Sequence, residues 1–109
     1  MNLSAEQLGN DMLAAIRPVL LAHWGKAAPY ATAEVQKLAV CAVQIEAGYK
    51  SGELTAEEAR ILRDMQASAS RAALTTIETI GLIAAQDAIN AALKILSAAV
   101  NKAVGIAIL

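Results

Sequence analysis

An all-α fold follows from three observations on this sequence. Apolar residues recur at helical spacing along most of the chain. The stretch from Thr55 to Leu109 contains no proline and only two glycines, Gly81 and Gly105. The composition is 57% hydrophobic but only 3% aromatic, so the core must be made of small and branched aliphatic side chains, which suits closely approaching helices. The spacing predicts helices over residues 4–24, 30–51 and 55–105. The first two form a helical hairpin over 1–54, and the third is one very long C-terminal helix over 55–109. At 109 residues this is a single domain.

The first helix starts at Ser4, with Gln7 placed to complete a capping box. Leu8, Met12, Ile16, Val19 and Leu20 share one face, opposite Asn10, Asp11 and Arg17. Pro18 falls inside this pattern, so a kink there, or a break into two short helices, is expected, because proline lacks the N–H of the ladder and clashes with the preceding turn. His23-Trp24-Gly25-Lys26 reads as a helix end followed by Pro29. The second helix, from Tyr30 to Lys50, carries the stripe Val35, Leu38, Ala42, Ile45 and Tyr49. Val40 and Val43 lie off that stripe, which suggests a second neighbour. Ser51-Gly52-Glu53 closes it, and a short connection of this kind favours antiparallel packing.

Thr55 and Glu58 form a capping box at the head of the third helix, and Glu57 and Glu58 place negative charge at the positive end of its dipole. Beyond them no turn signal precedes Gly105. A continuous helix there has roughly 50 residues and a length of about 75 Å. Spacings of eleven support continuity: Leu62, Ala73, Ala84, Ile95 and Ile106 stay aligned at three turns per repeat. From Ala72 onward the polar residues gather in an arc of roughly 120°, leaving an apolar arc of about 240° where a surface helix needs only ~100°.

A hairpin of helices about 30 Å long covers only part of a 75 Å partner. The half from about residue 80 therefore needs another cover, and exposed apolar surface of that size marks an interface. The expectation is a homo-oligomeric bundle held through Ile80, Ile83, Ala84, Ala88, Asn90, Ala91, Ile95, Ala99, Asn101 and Ile106, with Asn90 and Asn101 setting register. The alternative is a break near Gly81 that folds the last segment back into a compact four-helix bundle.

Candidate chemistry is sparse, and no enzyme activity, cofactor or metal is expected. His23 and Trp24 are the only histidine and tryptophan, and they read as a helix end and its anchor. One histidine cannot supply the paired Glu-x-x-His motifs of carboxylate-bridged metal bundles. Glu46, Glu78 and Asp87 flank apolar stripes, but no spacing brings them together for acid–base work. Cys41 lacks a histidine at helical spacing and reads as a structural cysteine.

The stripe Thr79, Gln86, Asn90, Ser97 and Asn101 is polar yet uncharged, a pattern that can hydrogen-bond across a helix interface, line a water-filled channel or simply face solvent. Gly81, Ala85, Ala88 and Ala92 allow close helix approach, best known from membranes. A spanning helix wants ~20 predominantly apolar residues, and Glu78, Asp87, Lys94 and Lys102 interrupt such windows. An amphipathic segment lying on a membrane surface is the more plausible membrane reading, with a small apolar ligand inside a bundle as a further alternative.

A net charge of −1 with scattered basic residues leaves no footprint for nucleic acid. The single cysteine excludes an internal disulfide and suits a reducing compartment. The first residues lack the basic and apolar runs of a signal peptide. The chain is therefore expected to be cytoplasmic, with itself as main partner.

Overall fold

The computed structural model describes residues 3–109, and among them the fold is all-helical. Four α-helices follow in order: α1 (Ala5–Ile16), α2 (Trp24–Lys50), α3 (Ala56–Thr75) and α4 (Leu82–Val104), with a 3₁₀ turn at Leu21–His23 between the first two. α2 and α4 form the central pair and touch each other. α1 packs on both from one side and α3 on both from the other, without meeting α1.

The very long C-terminal helix does not form. α3 ends at Thr75 and α4 begins at Leu82, so the continuous helix of residues 55–105 is corrected to two helices of 20 and 23 residues. The reason lies in the intervening side chains. The Thr75 and Thr76 hydroxyls donate to the carbonyls of Ala72 and Ala73 at 2.7 and 2.6 Å. Such back-bonding competes with the helical ladder and bends it. The backbone then tightens: Ile77 N–H donates to Leu74 O, and Ile80 N–H to Ile77 O. Ile77 and Ile80 are both buried and anchor the turn to the core. Gly81 caps α4 in an extended conformation, at φ −76°.

Two further boundaries differ from expectation. α1 stops at Ile16 instead of kinking at Pro18, and Pro18 sits in the turn that follows. His23 and Trp24 open α2 rather than close α1. Pro29 lies inside α2, one turn from its start, where it removes a bond only from the carbonyl of Gly25, and that residue is exposed. The Arg17 guanidinium lies 5.8 Å from the Trp24 ring centroid and ties the corner together.

The caps mostly follow the sequence. Thr55 Oγ1 accepts from Glu58 N–H at 3.1 Å, and Glu58 Oε1 accepts from Thr55 N–H at 3.0 Å. At α1 the box is only half made. Ser4 Oγ accepts from Gln7 N–H, but the Gln7 side-chain amide donates to Asp11 instead of returning to Ser4. α2 closes through Gly52 at φ +81° and α4 through Gly105 at the same angle, a conformation that costs other residues about 1–2 kcal/mol.

The core is aliphatic throughout. Met12, Ile16, Leu20, Val35, Leu38, Ile45, Leu74, Ile89, Leu96 and Val100 are its largest wholly buried apolar side chains. Ala85, Ala88 and Ala92 line the inner face of α4, so the small residues serve packing within one chain. Gly9 is buried on the inner face of α1, where an added Cβ would meet the Ala39 methyl group at an ordinary contact distance of 3.9 Å.

Ala88→Glu should therefore unfold the monomer rather than dissociate an oligomer. An uncompensated buried carboxylate costs roughly 3–5 kcal/mol. Thermal denaturation followed by circular dichroism should show the loss at any protein concentration, and an unchanged melting temperature would contradict the packing of α4.

Candidate interaction surface

The residues expected to hold an oligomer together fall into three groups. Ile80 and Ala88 are buried within a single chain and closed to a partner. Ala84, Ala91, Ile95, Ala99 and Asn101 are half-buried against other parts of the chain, and Ile83, Asn90 and Ile106 are exposed. The wide apolar arc is thus largely covered by α1, α2 and α3, because the turn at Thr76–Gly81 brings α4 back among them.

Asn101 has a role the sequence did not suggest. Its Oδ1 accepts from the N–H groups of Ile108 and Leu109 at 2.8 and 2.9 Å, and its Nδ2 donates to Leu109 O at 3.2 Å. Arg60 Nη1 donates to Ile108 O at 3.1 Å. Together these bonds fold the tail after Gly105 back onto the bundle and bury Ile108. Gln86 and Asn90, from the same polar stripe, face solvent.

None of the sequence-nominated ionisable residues assembles a reactive centre. Glu46 is buried, and its Oε2 accepts from Leu3 N–H at 3.0 Å while Oε1 lies 3.9 Å from Lys50 Nζ. Glu78 and Asp87 are exposed, one in the turn and the other in the first turns of α4. Glu34, which the sequence reading passed over, is buried with its carboxylate 3.1 Å from Lys37 Nζ. Among the described residues there is no group of three or more His, Cys, Asp or Glu side chains that could hold a metal ion. Every buried side-chain nitrogen or oxygen among them has a hydrogen-bond partner.

What remains outside is a groove of about 670 Å³ between α2 and α3. α2 contributes Ala33, Gln36, Lys37, Val40, Cys41 and Gln44; α3 contributes Leu62, Met65, Gln66 and Ala69. Spacings of three and four along each helix place these residues on one face. The small side chains Ala33 and Ala69 leave the trough open between the helix ridges. Val40, Leu62 and Met65 are 50%, 38% and 65% exposed, and the neighbouring Ile61 is 52% exposed. Single apolar residues on a surface are ordinary; here three of them stand next to one another along one groove. The rim is mostly amide, from Gln36, Gln44 and Gln66.

Cys41 sits half-buried in this groove, with Sγ 3.9 Å from Leu62 O. Burial pushes its thiol pKa up, because the thiolate loses solvation there. A raised pKa means less thiolate at any given pH below it, hence a slower nucleophile.

Comparison with models of known protein families, with curated proteins and with solved structures gives no match. The surface itself, read physically, defines the class: an all-α bundle with an open apolar groove.

Cys41 alkylation by iodoacetamide should be slower than that of a free cysteine at pH 8, rising to the free rate on unfolding in urea. Its rate should climb with pH to a midpoint above that of an unhindered thiol. A rate equal to that of a free thiol at every pH would contradict the burial of Sγ.

Proposed function

We propose that this chain is a non-enzymatic helical protein that self-associates, through apolar side chains left on the outside of its bundle. The observation that carries this reading is the cluster Val40, Leu62 and Met65 along the α2–α3 groove, with Ile61 exposed beside them on α3. Burying such side chains is worth about 1.5–3 kcal/mol each when complete, and a second surface is the simplest way to remove them from water. The C-terminal half that the sequence favoured as the interface now offers less. Leu82 and Ile83 are exposed at the head of α4 and Ile106 in the tail, but the face between them is taken up within the chain. The side-chain inventory fits a binding role, since the single histidine and single cysteine lie in a helix cap and in an apolar groove.

One feature supports a second reading, attachment to a membrane. α4 is long and apolar enough to cross a bilayer by length and composition, with a mean hydropathy of 1.3 in its best window. One third of that window is buried in the bundle, and α4 touches all three other helices, so insertion requires the bundle to open. Binding to anionic vesicles should then abolish the cooperative thermal transition of the bundle. Replacing the exposed Lys94 and Lys102 should weaken binding, as each basic residue near an anionic surface contributes ~1 kcal/mol. No vesicle binding at low ionic strength would remove this reading.

For self-association, light scattering after size exclusion should give a mass above 11.3 kDa at high concentration, falling toward 11.3 kDa on dilution. A mass of 11.3 kDa at every concentration would refute it.

A further inference from the structure

We propose that the α2–α3 groove seats a second copy of this chain, docked antiparallel about a two-fold axis that passes beside Cys41 and Leu62. The inference rests on the self-association reading and gives it a face, a partner and a symmetry. α2 and α3 run antiparallel, and the contact of Cys41 Sγ with Leu62 O fixes their register. From that level, Lys37 lies four residues away along α2, about 6 Å. Glu58 lies four residues from Leu62 along α3, about 6 Å in the opposite sense. Between them stand the exposed apolar side chains Val40, Leu62 and Met65. The surface is thus apolar at its centre, with the exposed Lys37 ammonium, paired from below by the buried Glu34, at one end and the Glu58 carboxylate at the other.

An isologous contact requires a surface complementary to itself. A two-fold axis lying in the plane of this face and crossing the helices near Cys41 and Leu62 turns the partner's face onto it and exchanges the two ends. Each Lys37 then stands level with the partner copy's Glu58, and the apolar centre meets itself. Docking two copies parallel would instead set Lys37 against Lys37 and Glu58 against Glu58, and such like-charge contacts are unfavourable. Both charges are held in place yet exposed. Glu34 Oε2 fixes the Lys37 ammonium from 3.1 Å, and the capping bond to Thr55 N–H fixes Glu58. Opposite charges at the two ends also disfavour a uniformly anionic occupant such as a phospholipid surface or a nucleic acid. The apolar centre is small beside the ~800 Å² per partner of a standard stable interface, so the dimer should be dissociable.

Sedimentation equilibrium on the full chain tests this, together with Cys41 alkylation rates over the same dilution series. Lys37→Glu and Glu58→Lys should each weaken the dimer about tenfold by opposing like charges. The double variant, with the pair reversed, should recover most of the loss. Glu58→Lys also removes a capping partner, so circular dichroism should accompany each variant. Glu58→Gln keeps the cap and should weaken the dimer less. Met65→Gln, at an exposed position, should weaken it without lowering the melting temperature. Alkylation of Cys41 should slow as the dimer forms. A wild-type chain that stays monomeric overturns the self-association reading itself. An oligomer indifferent to Lys37→Glu and Met65→Gln, with unchanged Cys41 reactivity, overturns this face and leaves self-association standing. Weakening by both single changes without recovery in the double variant overturns the antiparallel register.

Discussion

The turn from Thr76 to Gly81 is the constraint on which the rest of the structure depends. An uninterrupted helix would extend about 75 Å and leave its apolar half beyond reach of the hairpin. The turn costs little. The last carbonyls of α3 are partly satisfied by threonine hydroxyls and by short-range backbone bonds, and each helical bond forgone is worth only ~0.5–1.5 kcal/mol net. The gain is larger. Ile77 and Ile80 are buried in the turn itself, and Ile89, Leu96 and Val100 are buried along α4. At ~1.5–3 kcal/mol for each fully buried aliphatic side chain, these five outweigh the bonds lost. Folding back also satisfies the demand for coverage from within the chain.

The helical character and half of the eight helix ends were legible in the sequence, because they rest on local chemistry. The Thr55–Glu58 box, the Ser4 cap, and the terminations at Gly52 and Gly105 each depend on residues within one turn of each other. The break at Thr76–Gly81 was harder to read. Threonine and isoleucine are acceptable helix residues, and their preference for a turn is decided by two carbonyl back-bonds and by burial against distant helices. The run Thr75-Thr76-Ile77 and the pair Thr79-Ile80 were the available signal, a cluster of β-branched residues in an otherwise alanine-rich stretch. The same blindness moved the end of α1. Pro18 reads as a kink or break within the first helix and Pro29 as lying beyond its end, whereas Pro18 follows the end of α1 and Pro29 lies within the second turn of α2.

The groove was legible only in fragments, since it is built from two helices whose register no single stretch reveals. Val40 was seen to lie off the buried stripe of its helix, and the structure turns it outward rather than toward another part of the chain. Leu62 belongs to the eleven-residue spacing and Met65 to no sequence pattern, and both line the outer trough. Asn101 has a role that spacing alone does not reveal. Its half-buried amide binds the chain's own tail, seven and eight residues further on.

Small-angle X-ray scattering at concentrations low enough to hold the monomer tests the central claim most directly, that the chain turns back on itself after α3. The Cα atoms span 42 × 22 × 18 Å with a radius of gyration of 13.6 Å. A compact particle whose longest dimension exceeds 42 Å only by the width of side chains and hydration is the result expected. A maximum dimension near the ~75 Å of an unbroken 50-residue helix would contradict it.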